Sequence, residues 1–84
     1  MAILEIDSGD LRAVAVEFSA GELIVRFADG RRLATPLAWY PRLLAATEEQ
    51  RNEVEISPLG LHWPSLDEDL SIAGMMAGRP ARAA

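Results

Sequence analysis

Apolar and polar residues alternate along residues 22–27. Leu23, Val25 and Phe27 fall on one side, and Glu22, Ile24 and Arg26 on the other. A period of two predicts a strand with one buried face and one half-exposed face. Residues 13–18 (Ala-Val-Ala-Val-Glu-Phe) form a second β-type run, and Ser19-Ala20-Gly21 between the two supplies the turn. Asp29-Gly30 then marks a tight hairpin, where glycine accepts the positive φ that such turns need. It leads into a third strand over residues 31–35. The pattern predicts a three-stranded antiparallel meander, with residues 3–7 as a further N-terminal strand.

Beyond this point the period changes. Pro36 ends the third strand because it has no N–H to give to a ladder, and Pro41 has the φ of a first helical turn. Residues 40–46 therefore predict a short helix, with Leu43, Leu44 and Ala46 toward the sheet and Trp39 and Tyr40 as anchors at its entrance. Thr47-Glu48-Glu49-Gln50 has the spacing of a capping box and restarts a helix. Residues 52–57 alternate again and predict a returning strand. Pro58-Leu59-Gly60 reads as a turn and Leu61-His62-Trp63 as a short extended stretch before Pro64.

Ser65-Leu66-Asp67-Glu68 repeats the capping-box spacing. It predicts a C-terminal helix over residues 66–77, with Leu66, Leu70, Ala73 and Ala77 on one face and Ile72 and Met76 widening it. Asp67, Glu68 and Asp69 would then occupy its first turn, where the helix dipole favours negative charge. Gly78 is its stop, and residues 79–84 are a flexible tail. The expected fold is α+β: a small antiparallel meander of three to four strands packed against short helices, in one domain over residues 1–78.

Composition narrows the function. Eighty-four residues with half of them apolar support one modest core rather than a deep substrate cavity. There is no cysteine, which excludes disulfides, thiolate metal sites and a cysteine nucleophile. The N-terminus has no basic leader and no apolar run has membrane-spanning length, so the expected location is the cytoplasm and no membrane partner is expected. A net charge of −5 argues against direct nucleic-acid binding. All eight basic residues are arginine. This reads as compositional bias, or as recognition of anions by planar forks. Arg31 and Arg32 beside the hairpin turn read chiefly as a solvated tip that discourages edge pairing.

Two dense blocks carry a resemblance to a known family. The first is Pro36-Leu37-Ala38-Trp39-Tyr40-Pro41-Arg42-Leu43-Leu44-Ala45-Ala46-Thr47-Glu48-Glu49-Gln50-Arg51, the second Gly60-Leu61-His62-Trp63-Pro64-Ser65-Leu66-Asp67-Glu68-Asp69-Leu70-Ser71. With the Phe27, Asp29, Gly30 hairpin before them, they resemble the bacterial domain-of-unknown-function family DUF2442. Val54 departs from the aromatic residue expected after the first block. The resemblance implies a small α+β domain and a regulatory or protein-binding module, as in toxin–antitoxin-like pairs. It implies no catalytic residues; no cofactor and no metal are expected.

Three functional expectations follow. The first is a non-enzymatic interaction module whose partner-binding patch is Trp39, Tyr40, Arg42, His62 and Trp63 with the acidic corner Asp67 and Asp69. These rings converge if the two blocks pack together, and aromatic rims suit protein partners; the competing reading is an aromatic core. The second is an acidic inhibitor or nucleic-acid mimic that blocks a basic groove, although the thirteen carboxylates are spread along the chain. The third is a small enzyme using His62 with Asp67 or Asp69. One histidine and two carboxylates make a poor transition-metal site, and no serine has an evident activating base. Covering the sheet's edges by a homodimer is a further expectation.

Overall fold

The computed structural model describes residues 12–78. β1 (Ala13–Ser19), β2 (Glu22–Phe27) and β3 (Arg32–Pro36) form the expected meander, in the order β1-β2-β3 and antiparallel throughout. Leu23, Val25 and Phe27 are buried as the alternation requires. The β1–β2 turn places Ala20 at φ 52° and Gly21 at φ 77°. Two successive positive φ values match the right-handed twist of a hairpin. The proposed strand over residues 3–7 and the tail at 79–84 lie outside the described residues.

A 3₁₀ turn (Leu37–Trp39) follows Pro36, and α1 (Pro41–Leu44) starts on its proline. Only part of the expected inward face of α1 forms: Leu43 is fully buried, whereas Leu44 is half exposed. α2 (Glu48–Asn52) opens with the capping box in full. The Gln50 N–H donates to Thr47 Oγ1 at 3.1 Å, and the Thr47 N–H donates to Gln50 Oε1 at 3.0 Å. Arg51 ties the two helices together by donating to the carbonyls of Leu43 and Leu44, orphan acceptors at the end of α1.

β4 (Glu55–Ser57), β5 (Gly60–Trp63) and β6 (Glu68–Ser71) form a second antiparallel sheet. This corrects the helix expected over residues 66–77. A 3₁₀ turn occupies Pro64–Leu66, Asp67 takes a left-handed conformation at φ 50°, and the chain returns as β6. Asp is one of the few residue types that tolerate that region. The expected capping by Ser65 is replaced by capping six residues later. α3 (Ile72–Met76) begins after β6, and Ser71 Oγ accepts from the Gly74 N–H at 2.9 Å. Pairing decides the outcome: Leu70 lies opposite Leu61 and Glu68 opposite Trp63, so a strand buries both Leu70 and Trp63 against the meander. Gly78, at φ 73°, ends α3 as expected.

Both sheets contribute to one core. Leu23, Val25, Phe27, Leu61, Trp63 and Leu70 meet Tyr40, Leu43, Ile72 and Met75 there. The architecture is α+β, two three-stranded antiparallel sheets with three short helices.

Candidate functional site

The seven residues singled out in the sequence do not share one environment. Tyr40 and Trp63 are 1% and 0% exposed. The Tyr40 hydroxyl donates to Thr35 Oγ1 at 3.1 Å, and Trp63 Nε1 donates to the Arg51 carbonyl at 2.9 Å. Their polar atoms are spent inside the fold, as buried tyrosine and tryptophan require. These two rings belong to the core and present no surface to a partner. Trp39 is half-buried, set edge-on to Tyr40 with 6.4 Å between ring centroids. Trp63 meets Phe18 in a similar T-shaped contact, and the Arg51 guanidinium lies 5.6 Å from the Phe18 centroid. The expected convergence of Trp39, Tyr40, His62 and Trp63 on one rim is therefore replaced by two separate ring pairs.

Arg42 spans from α1 to the β5–β6 connection, where its Nη1 donates to the Asp67 carbonyl. This fastens the left-handed turn to the helix. Its charge also faces Glu68, a carboxylate only 8% exposed on the inner face of β6. Burial raises the Glu68 carboxyl above its ordinary value, while the Arg42 guanidinium and the Asp69 backbone N–H pull it down. Burial likewise pushes the Tyr40 phenol up, against the opposing effect of its hydrogen bond with Thr35. The buried Glu68 escaped the sequence reading because its neighbours Asp67 and Asp69 are ordinary solvated carboxylates.

His62 and Asp69 are brought together. They sit directly opposite on β5 and β6, with His62 Nδ1 and Asp69 Oδ1 2.5 Å apart. Glu55 faces His62 from the other side, on β4. The outer face of the second sheet thus carries a row Glu55–His62–Asp69, and beside it a row Ser57–Gly60–Ser71. Asp67 lies in the turn rather than in these rows. Between Leu59 and His62 is a shallow open depression of about 320 Å³, lined by Ser57, Leu59, Gly60, His62, Asp69 and Ser71, with Leu61 and Leu70 beneath. Gly60 supplies the floor, and its strand runs so close to β6 that a Cβ would meet the Leu70 carbonyl oxygen at 2.9 Å. Leu59, in the turn, is 75% exposed. The sequence reading passed over Leu59 as part of a turn; its apolar side chain between a proline and a glycine was the available signal.

The depression joins an oriented imidazole to an apolar knob. Among the described residues, no group of three or more His, Asp or Glu side chains is placed to hold a metal ion. None of the described helices is long and apolar enough to cross a membrane.

This is a small α+β domain with a buried aromatic seam and one apolar-tipped outer sheet. The chain belongs to the family described as protein of unknown function (DUF2442), whose model matches residues 13–81. It is similar to a protein of unknown function from Rhodospirillum rubrum, with 35% identity and a TM-score of 0.71 over 84% of this chain and 90% of that one. It is also similar to an uncharacterised protein from Chromobacterium violaceum, with 32% identity and a TM-score of 0.71 over 86% of this chain and 70% of that one. No curated protein matches it.

Proposed function

We propose that this chain is a non-enzymatic protein-interaction module of the cytoplasm, an antitoxin-like or regulatory partner of another small protein. The observation that carries the reading is Leu59. A leucine left 75% exposed at a hairpin tip adjoins a depression on an otherwise polar face, and it is this juxtaposition, rather than the exposure alone, that gives a partner's side chain a place to insert. The depression is shallow and open, a shape that suits an inserted side chain better than an enclosed substrate.

Co-purification from the native cell, with neighbouring genes expressed, tests the reading. Wild-type protein is expected to retain one stoichiometric small protein, which Leu59→Ser loses while its thermal unfolding stays unchanged. Equal retention by both proteins, or no stoichiometric partner for either, would overturn it. A second reading rests on the His62–Asp69 pair, whose geometry resembles that of an oriented general base. A catalytic role for that pair requires His62→Ala to abolish a measurable activity of the folded protein.

A further inference from the structure

Charge on this molecule is divided between the two sheets. Residues 12–51 carry six arginines and five carboxylates, whereas residues 52–78 carry five carboxylates and no arginine. The chain contains no lysine, so the second sheet and its connections have His62 as their sole basic side chain. One of the five carboxylates, Glu68, is turned into the core. Glu55 and Asp69 flank His62 on the outer face, with Asp69 76% exposed. The meander differs: there Arg26 pairs with Glu17 at 2.7 Å and Arg31 with Asp29 at 2.5 Å, so two of its three carboxylates meet an arginine within the chain, Glu22 being the third.

From this division we infer that the outer face of β4–β5–β6 is a docking surface for a cationic protein segment, one in which arginine or lysine flanks an apolar side chain. The apolar side chain rests in the depression over Gly60, between Leu59 and the His62 ring. The flanking cations lie along Glu55 and Asp69. The inference rests on the interaction-module reading and adds the place and the partner's chemistry to it.

The other exposed apolar side chains do not compete for this role. Val14, Leu44 and Met76 stand on three different elements, and single exposed apolar residues are ordinary on any protein surface. Ile56 lies opposite Leu61 and so belongs to the inner face of its sheet, at the open margin of the core. Of these exposed side chains, Leu59 alone lines the depression that Asp69 borders, on the sheet face that also carries Glu55 and has no arginine.

The surface also has a built-in reason to discriminate. A neutral apolar segment would fill the depression but offer no cation to Glu55 or to Asp69, whose partner on this face is the His62 ring, and an acidic one would be repelled. Rim charges of this kind set approach and selectivity more than final affinity, and they respond to salt.

Selection from a random peptide library displayed on phage, against the intact protein, tests the inference without knowledge of the natural partner. Peptides with arginine or lysine around leucine, isoleucine, valine or methionine are expected. Their binding should weaken at least about threefold between about 50 mM and 300 mM salt. It should also weaken about three- to tenfold in the Glu55→Gln/Asp69→Asn double variant, which keeps the shape of the face while removing its charge. Leu59→Ser should abolish it. Enrichment of neutral or acidic peptides, or of basic peptides whose binding ignores all three substitutions, would overturn the inference. So would enrichment no greater than on an unrelated acidic domain of equal charge. In each of these cases a partner recovered by co-purification and lost with Leu59→Ser would still uphold the interaction-module reading.

Discussion

His62 and Trp63 are consecutive in the chain, yet they leave β5 on opposite faces. The histidine meets Asp69 at 2.5 Å on the outside, and the tryptophan is fully buried, donating to the Arg51 carbonyl at 2.9 Å. Strand geometry enforces the split, since successive side chains alternate. A motif that reads as one unit in sequence therefore does two separate things: it locks the second sheet to the helices and it furnishes an outer surface.

The two substitutions should accordingly behave in opposite ways. Trp63→Ala is expected to cost about 3–5 kcal/mol through lost burial and the cavity left behind. That is a large part of the stability of so small a domain. Trp63→Phe should cost less, with the Arg51 carbonyl left unpaired accounting for about 1–3 kcal/mol. His62→Ala should stay within about 0.5 kcal/mol. Urea denaturation midpoints distinguish these; equal midpoints for His62→Ala and Trp63→Ala would contradict the assignment.

Ala20 carries backbone strain that its neighbour Gly21 avoids. At φ 52° the alanine Cβ crowds the following carbonyl, at a cost of about 1–2 kcal/mol. Ala20→Gly is expected to recover about 0.5–1 kcal/mol, the glycine's extra freedom when unfolded offsetting the rest. Ala20→Asn should also stabilise the turn. Thermal unfolding reads the result, and a fall in midpoint for both variants would argue against a turn with two positive φ values.

Glu68 should make stability depend on pH. Its folded-state value is raised above the ordinary 4.5, so the folded protein holds this proton more tightly than the unfolded chain. The stabilising contribution is fully present below about 4.5, and it is lost as pH rises through the raised folded value. Glu68→Gln removes the ionisation. Its stability relative to wild type is therefore expected to increase with pH across that window and to level off above it. A difference independent of pH would show that the carboxyl is not perturbed by its burial.

The α2 cap offers a simpler check. Thr47→Ala removes the acceptor for the Gln50 N–H and is expected to cost about 1 kcal/mol, with Thr47→Ser costing less. Denaturant unfolding of the two variants measures both.

The meander and the Thr47 cap were readable in sequence because their signals are local. Leu23, Val25 and Phe27 alternate within six residues, and a capping box spans four. Residues 66–77 were not, because Leu66, Leu70, Ala73 and Ala77 satisfy a helical period while Glu68, Leu70 and Ile72 satisfy a strand's. Only pairing with Leu61 and Trp63 on β5 chooses between the two, and that information lies outside the local window. Two carboxylates flanking Glu68 reinforced the helical reading by imitating a helix start. At the candidate site, the sequence offered Asp67 or Asp69 as the partner of His62, and strand register selects Asp69; it grouped them with Tyr40 and Trp63, whose burial depends on how the two sheets close on each other.

Docking of a partner on the outer face of the second sheet, as proposed, has a direct test. Backbone amide chemical-shift mapping, by titrating the isotope-labelled protein with a selected basic peptide, tests it most directly. The shifts are expected to concentrate at Ser57, Leu59, Gly60, His62, Asp69 and Ser71, and to leave β1–β3 unmoved. Shifts centred on the meander or on α2, with this face silent, would contradict it.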